Sequence, residues 1–155
     1  MTGRASDGAP VAEYQSNQGF SRINRYLHAV RYRELRRFLA LVLTTPEPTI
    51  FEAGCGYGDA VDVARAVLGQ RRFTYSGVDY WAAFIDEAVA RRSSPDVRFE
   101  CRDLRDMAEE GFRPPEPPDC ILALETLEHV TEYDVPKVID WLALAMLRVP
   151  SLLPW

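Results

Sequence analysis

The chain has 155 residues, 47% of them hydrophobic and 26% charged, with a formal net charge of −5. That is the size of one domain with enough apolar material for a core, and the acidic balance argues against broad nucleic-acid binding through overall charge. Apolar runs such as Phe38-Leu39-Ala40-Leu41-Val42-Leu43 are too short to span a bilayer, and the amino terminus has no apolar signal-peptide core, so no membrane contact is expected.

Residues 1–13 are rich in Gly, Ala, Ser and Pro and read as a disordered tail. Residues 14–45 form an N-terminal helical segment. Within it a helix is predicted from Ser16 to Leu43, with Phe20, Ile23, Leu27, Val30, Phe38 and Leu41 on or near one face and a break near Arg31. Seven arginines stand against three acids in residues 1–45. Arg22, Arg25, Arg33, Arg36 and Arg37 read either as a solvated helix surface or as a basic face for an anionic partner. Thr44-Thr45-Pro46-Glu47-Pro48 ends the helix, because proline cannot continue it.

Residues 46–155 form the rest of the domain. Thr49-Ile50-Phe51-Glu52-Ala53 reads as a strand, Gly54-Cys55-Gly56-Tyr57-Gly58 as a tight turn, and Asp59 onward as a helix to Leu68. Alternating glycines remove the side chains that would keep a ligand from the backbone, and the helix start directs N–H groups to the same place. Phe73 to Asp79 is a second strand, and Trp81 to Arg92 a helix with Phe84, Ile85, Ala88 and Val89 inward. Val97 to Cys101 is a third strand, followed by Arg102-Asp103-Leu104 and a weak helix around 105–110. A proline-rich loop leads to a nearly all-apolar fourth strand, Asp119 to Leu124, of the kind buried on both faces of a parallel sheet. Glu125 to Val130 leaves its end. Asp134 to Met146 is a last helix, with Val138, Ile139, Trp141 and Leu142 as core candidates. The three cysteines, Cys55, Cys101 and Cys120, fit neither a disulfide framework nor a zinc spacing, and read as reduced thiols of a cytoplasmic protein, two of them in buried strands.

Strands alternating with helices indicate an α/β fold with a parallel sheet, whose ligands bind beyond the carboxyl ends of the strands. Glu52, Asp79, Asp103, Glu125, Glu128 and His129 all fall at that edge. The spacing Gly54-x-Gly56-x-Gly58 differs from the G-x-G-x-x-G of nicotinamide-dinucleotide sites. Asp79 lies 21 residues beyond Gly58, suited to gripping a ribose diol. It would also suit a cap on the helix at Trp81. Asp103 suits an exocyclic adenine amine, or a cap on the turn after it. No phosphate-binding G-x-x-x-x-G-K pattern is present. Together these describe a nucleoside pocket without phosphates.

The segments Glu52-Ala53-Gly54-Cys55-Gly56-Tyr57-Gly58, Gly77-Val78-Asp79, Cys101-Arg102-Asp103-Leu104 and Asp119 to Val130 resemble, in order and spacing, the motifs of class I S-adenosylmethionine-dependent methyltransferases. The resemblance covers Thr49 to Val130. It implies a Rossmann-like methyltransferase sheet of parallel strands in the order 3-2-1-4 behind an N-terminal helix, and S-adenosyl-L-methionine as cofactor. It implies that Glu52 and the turn of Gly54, Cys55, Gly56 and Gly58 approach the methionine part. Asp79 would hold the ribose, Asp103 the adenine amine, and the Leu104 N–H would lie near the ring. Tyr80 or Trp81 would cover the adenine face. Glu125, or the backbone beside it, would sit near the methionine amino group.

Methyl transfer needs alignment and water exclusion above all. Where the acceptor needs a base, His129 is the candidate, with Glu128 or Glu125 to orient it; packing of the loop is the alternative role. The expected acceptor is a small molecule. Glu125-x-x-Glu128-His129 is also similar to part of the metal site of RNA 3′-terminal 2′-O-methyltransferases, which makes an RNA acceptor the alternative; the other histidine, His28, lies far upstream. A full domain of this family has further strands after the fourth, so the chain reads as C-terminally incomplete. Leu147-Arg148-Val149-Pro150 would begin a fifth strand. A fourth strand left at the edge is expected to weaken the fold, recruit a partner chain or a second copy, or leave an inactive cofactor-binding fragment.

Overall fold

The computed structural model describes residues 22–114 and 116–147. The expected tail at 1–13, the start of the first helix and the fifth strand from Arg148 lie outside the described residues. The elements are α1 (Arg22–Val42), β1 (Thr49–Ala53), α2 (Asp59–Leu68), β2 (Thr74–Asp79), α3 (Ala82–Arg92), β3 (Val97–Cys101), α4 (Leu104–Glu110), β4 (Cys120–Leu122), a 3₁₀ turn (Leu127–His129) and α5 (Val135–Ala145). Four parallel strands form one sheet in the order β3-β2-β1-β4, as the resemblance implies. Among the described residues no helix is long and apolar enough to cross a membrane.

The two faces of the sheet bury separate clusters. Ile50, Tyr75, Phe99, Cys120 and Leu122 pack with Leu35 and Leu39 of α1 and Leu43 just past its end, with Val61, Ala64 and Leu68 of α2, and with Ile85 and Ala88 of α3. Phe51, Ala53 and Val78, alternate residues of the same strands, pack with Leu104 and Met107 of α4 and Val138, Trp141 and Leu142 of α5. This alternation follows from the period-2 geometry of a strand covered on both sides. Phe51 and Trp141 meet edge to face at 6.0 Å.

Several expectations are corrected. The helix does not break near Arg31; α1 runs unbroken from Arg22 to Val42. Its buried stripe is Leu35 and Leu39, continued by Leu43 just past its end at the same four-residue step, whereas Phe38 and Leu41 are exposed. The α1 sequence carries two apolar stripes, and contact with α2 selects the one spaced at i, i+4. Val89 and Ile139, expected inward, are exposed. Cys101, expected in a buried strand, is exposed because β3 is an edge strand, while Cys55 and Cys120 are buried. The fourth strand is shorter than predicted: only Cys120 to Leu122 pairs with β1.

Candidate functional site

The turn between β1 and α2 is fixed from two sides. The Gly54 and Cys55 N–H groups both donate to the Val78 carbonyl, at 2.8 and 2.9 Å, and the Gly58 N–H donates to the Cys55 carbonyl at 2.8 Å. Gly54 adopts φ +71°, and a Cβ there would collide with the Thr126 side chain. Thr126 is buried, its Oγ1 lying 3.1 Å from the Ala53 carbonyl oxygen and 3.0 Å from that of Leu124. Gly54 therefore lets the first turn touch the loop after β4. Gly54→Ala is expected to destabilise the fold by about 2–4 kcal/mol through steric overlap and left-handed strain, seen as a lowered melting temperature; Gly54→Ala with Thr126→Ser, which removes the methyl of the clash, should recover part of that loss.

Gly56 is different. It adopts φ +51°, and a Cβ built on it meets nothing within 4 Å. Its outer face is open, a backbone cradle from which a side chain has been omitted. Its N–H donates to Asp79 Oδ2 at 3.0 Å, and Asp79 Oδ1 accepts from the Trp81 N–H at 2.9 Å. The end of β2 is thus tied to the turn of β1 by one carboxylate. Trp81, not Asp79, occupies the cap position of α3. Burial pushes the Asp79 carboxyl above its ordinary range, opposed by the N–H donors of Trp81 and Gly56 and by the nearby His129.

Glu52 lies beneath the turn, 3% exposed, and the Tyr75 hydroxyl donates to its Oε2. Burial raises its pKa to about 8, against the Tyr75 hydrogen bond, with Asp59 and Asp79 adding to the rise. Burial likewise pushes the Cys55 thiol up, so Cys55 contributes backbone to the turn and an inert side chain to the core.

Arginine contacts absent from the sequence reading complete the support. Arg92, at the end of α3, donates to the Tyr57 carbonyl at 2.7 Å, to Asp59 Oδ1 at 2.6 Å and to Asp62 Oδ2 at 2.9 Å. It clamps the last part of the turn to the first turn of α2. On the other side, Tyr32 of α1 donates to Asp59 Oδ2 at 3.1 Å, and Arg31 pairs with Glu125. None of these partners is close in sequence, so no local pattern announces the clamp.

The remaining predicted residues are spread along the same edge. Tyr80 is largely exposed at the lip. Trp81 packs on Phe84, ring centres 4.2 Å apart, and Tyr57 packs on the same ring at 4.4 Å. Leu104 is buried at the start of α4. Asp103 caps α4: its Oδ1 accepts from the Arg105 N–H at 2.9 Å, and the Arg105 guanidinium lies across both carboxylate oxygens. Glu128 and His129 are exposed in the 3₁₀ turn. Among the described residues no three His, Cys, Asp or Glu side chains form a metal-binding group. The alternative set Glu125, Glu128 and His129 does not converge, because Glu125, at φ +51°, turns to Arg31 while the other two stay on the 3₁₀ turn. A separate open depression, lined by Thr45, Glu47, Thr49, Glu116 and Asp119, lies at the amino ends of β1 and β4, opposite this edge.

The family model described as a methyltransferase domain matches residues 24–147. The chain belongs to the methyltransferase domain family. No curated protein matches it significantly. Among solved structures, this methyltransferase chain is similar to magnesium protoporphyrin IX methyltransferase (ChlM) from Synechocystis PCC 6803 with bound S-adenosylhomocysteine, at 18% identity and TM-score 0.66, covering 86% of this chain and 61% of that one. It is similar to the plantazolicin methyltransferase BpumL in complex with S-adenosylhomocysteine, at 19% identity and TM-score 0.62, covering 84% of this chain and 47% of that one. It is also similar to a Haloferax volcanii complex between the Trm112 methyltransferase activator and a methyltransferase, at 18% identity and TM-score 0.54, covering 73% and 47%. At these identities the likeness establishes the shared fold. The chain spans less than two thirds of the length of each of these three structures.

Proposed function

We propose that this chain binds S-adenosyl-L-methionine at the carboxyl edge of its sheet and serves as the methyl-donor part of a methyltransferase. The observation that carries this is the Asp79 carboxylate, held at the end of β2 on the N–H of Gly56, whose outer face is open. The donor set fits an adenosine bearing an amino acid: a carboxylate for a diol, a bare backbone turn, and no lysine among the turn residues for a phosphate. When bound, the cofactor supplies a methyl group on a positively charged sulfur.

The chain's own residues hold and orient. Asp79 has lone pairs beyond its two backbone bonds and accepts from the ribose hydroxyls. Glu52 acts through the turn above it. Cys55, Gly54 and Gly58 contribute backbone. Tyr80 and the Leu104 N–H border the adenine. Asp103 accepts from the adenine amine once Arg105 swings aside; the Arg105 side chain is half-exposed, and ion pairs open to water are weak, on the order of 1 kcal/mol or less. His129, with Glu128, takes a proton from an acceptor that needs it. The acceptor is a small molecule.

The deciding experiment is calorimetric titration with S-adenosylmethionine and S-adenosylhomocysteine. Binding with a thermal upshift is expected; neither heat nor upshift at millimolar ligand would refute the proposal. Gly56→Ala separates fold from site. It is expected to cost only about 1–2 kcal/mol of stability, from left-handed strain, yet to block the cofactor by at least about tenfold in Kd, since the new methyl enters the open cradle. Unchanged affinity would place the cofactor elsewhere.

A further inference from the structure

Arg92 is the last residue of α3, yet its side chain is only 13% exposed. Long helical side chains lean toward the amino end of their helix, which carries this guanidinium back to the level of the glycine turn. A Cβ on Gly58 would lie 3.5 Å from the Ala88 Cβ, one helical turn before Arg92. Asp59 and Asp62, in the first turn of α2, neutralise the guanidinium at 2.6 and 2.9 Å. From α2 in return, Arg65 donates to the Arg92 carbonyl at 3.0 Å. Those contacts latch two helices together. The remaining one, 2.7 Å to the Tyr57 carbonyl, falls on a neutral group inside the turn itself.

The peptide between Tyr57 and Gly58 is planar and trans, so its carbonyl and its N–H point in opposite directions. Arg92 on the carbonyl therefore also fixes the Gly58 N–H, which closes the turn on the Cys55 carbonyl at 2.8 Å. Gly56 and Gly58, on either side of Tyr57, hold φ +51° and +76°. Glycine adopts negative φ as readily, so the choice has to come from outside. The Tyr57 ring rests on Phe84, another residue of α3. We propose that Arg92 is a positioning residue for the methyl donor: by holding the Tyr57 carbonyl it keeps the Gly56–Gly58 backbone in its binding conformation before the donor arrives. It acts through the turn and touches no part of the donor. Without it the Tyr57–Gly58 peptide has to be ordered at binding, and the backbone freedom of one residue corresponds to about tenfold in Kd. This rests on the reading that the turn holds S-adenosylmethionine.

The test separates support of the fold from support of the turn. Lysine returns a positive charge to Asp59 and Asp62 but has no fork with which to hold two acids and a carbonyl together. Arg92→Lys is expected to melt close to wild type and yet to bind S-adenosylhomocysteine about tenfold more weakly in titration calorimetry. Asp62→Asn removes one partner of the latch and leaves the carbonyl contact; its affinity is expected to stay within about twofold of wild type. Arg92→Met, which loses both functions, is expected to fall in melting temperature and in affinity alike. Should it not fold, the lysine and asparagine variants decide the question by themselves. Wild-type affinity in Arg92→Lys, or an equal loss in Arg92→Lys and Asp62→Asn, overturns the assignment while leaving the cofactor site standing. Wild-type protein that binds no S-adenosylhomocysteine overturns both.

Discussion

Asp79→Ala is expected to abolish measurable binding of S-adenosylhomocysteine. Two roles end at once. The ribose hydroxyls lose a charged acceptor; hydrogen bonds to charged groups contribute about 1.5–3 kcal/mol each, so two of them correspond to a factor of at least about 10² in Kd. The turn also loses its tie to β2, since the Gly56 and Trp81 N–H groups both donate to this carboxylate. Leaving such donors without an acceptor costs about 1–3 kcal/mol of stability where they stay buried. Asp79→Asn separates the roles. Its single carbonyl oxygen keeps one backbone bond, its amide cannot accept the other, and no charge meets the diol. The asparagine variant is expected to melt closer to wild type than the alanine variant and still to lose at least about tenfold in affinity. Calorimetry gives the affinity and thermal denaturation the stability. Unchanged affinity in Asp79→Ala would remove the ribose assignment.

What the sequence made legible was set by local rules. The strands are short segments set off by turns and helices, and the first two end in a glycine turn and an acid, so the sheet edge and its main ligand-binding candidates could be placed from spacing. Side-chain partnerships could not. Asp103 reads as an adenine acceptor, with a cap on the following turn as the alternative, and the structure shows the cap, with Arg105 two residues on across both oxygens. Arg92 is in sequence only the last residue of a helix, yet its partners come from the turn and from α2, 30 or more residues earlier. The stripe of α1 was misassigned because Phe38 and Leu41 are as apolar as Leu35 and Leu39; only the position of α2 decides between them. The left-handed conformation of Glu125 has no sequence signature, because glycine is the residue that would announce it.

Glu52→Gln is expected to stabilise the protein at alkaline pH and to leave it nearly unchanged at pH 5. In the unfolded chain this carboxyl titrates at its ordinary 4.5; in the folded chain burial lifts it to about 8. Between those values the unfolded state releases a proton that the folded state keeps. Stability therefore falls as pH rises through this window and levels off above about 8, by a few kcal/mol in all. Glutamine has the shape of the protonated acid, accepts from the Tyr75 hydroxyl as glutamate does, and never ionises. The melting temperatures of variant and wild type should coincide near pH 5 and separate by several degrees at pH 9, variant higher. Parallel curves would mean that Glu52 is ionised in the fold at neutral pH. The carboxyl stands in the same electrostatic neighbourhood as Asp59 and Asp79. Kept neutral, it lets Asp79 carry the charge that the ribose requires without a further anion directly beneath the turn.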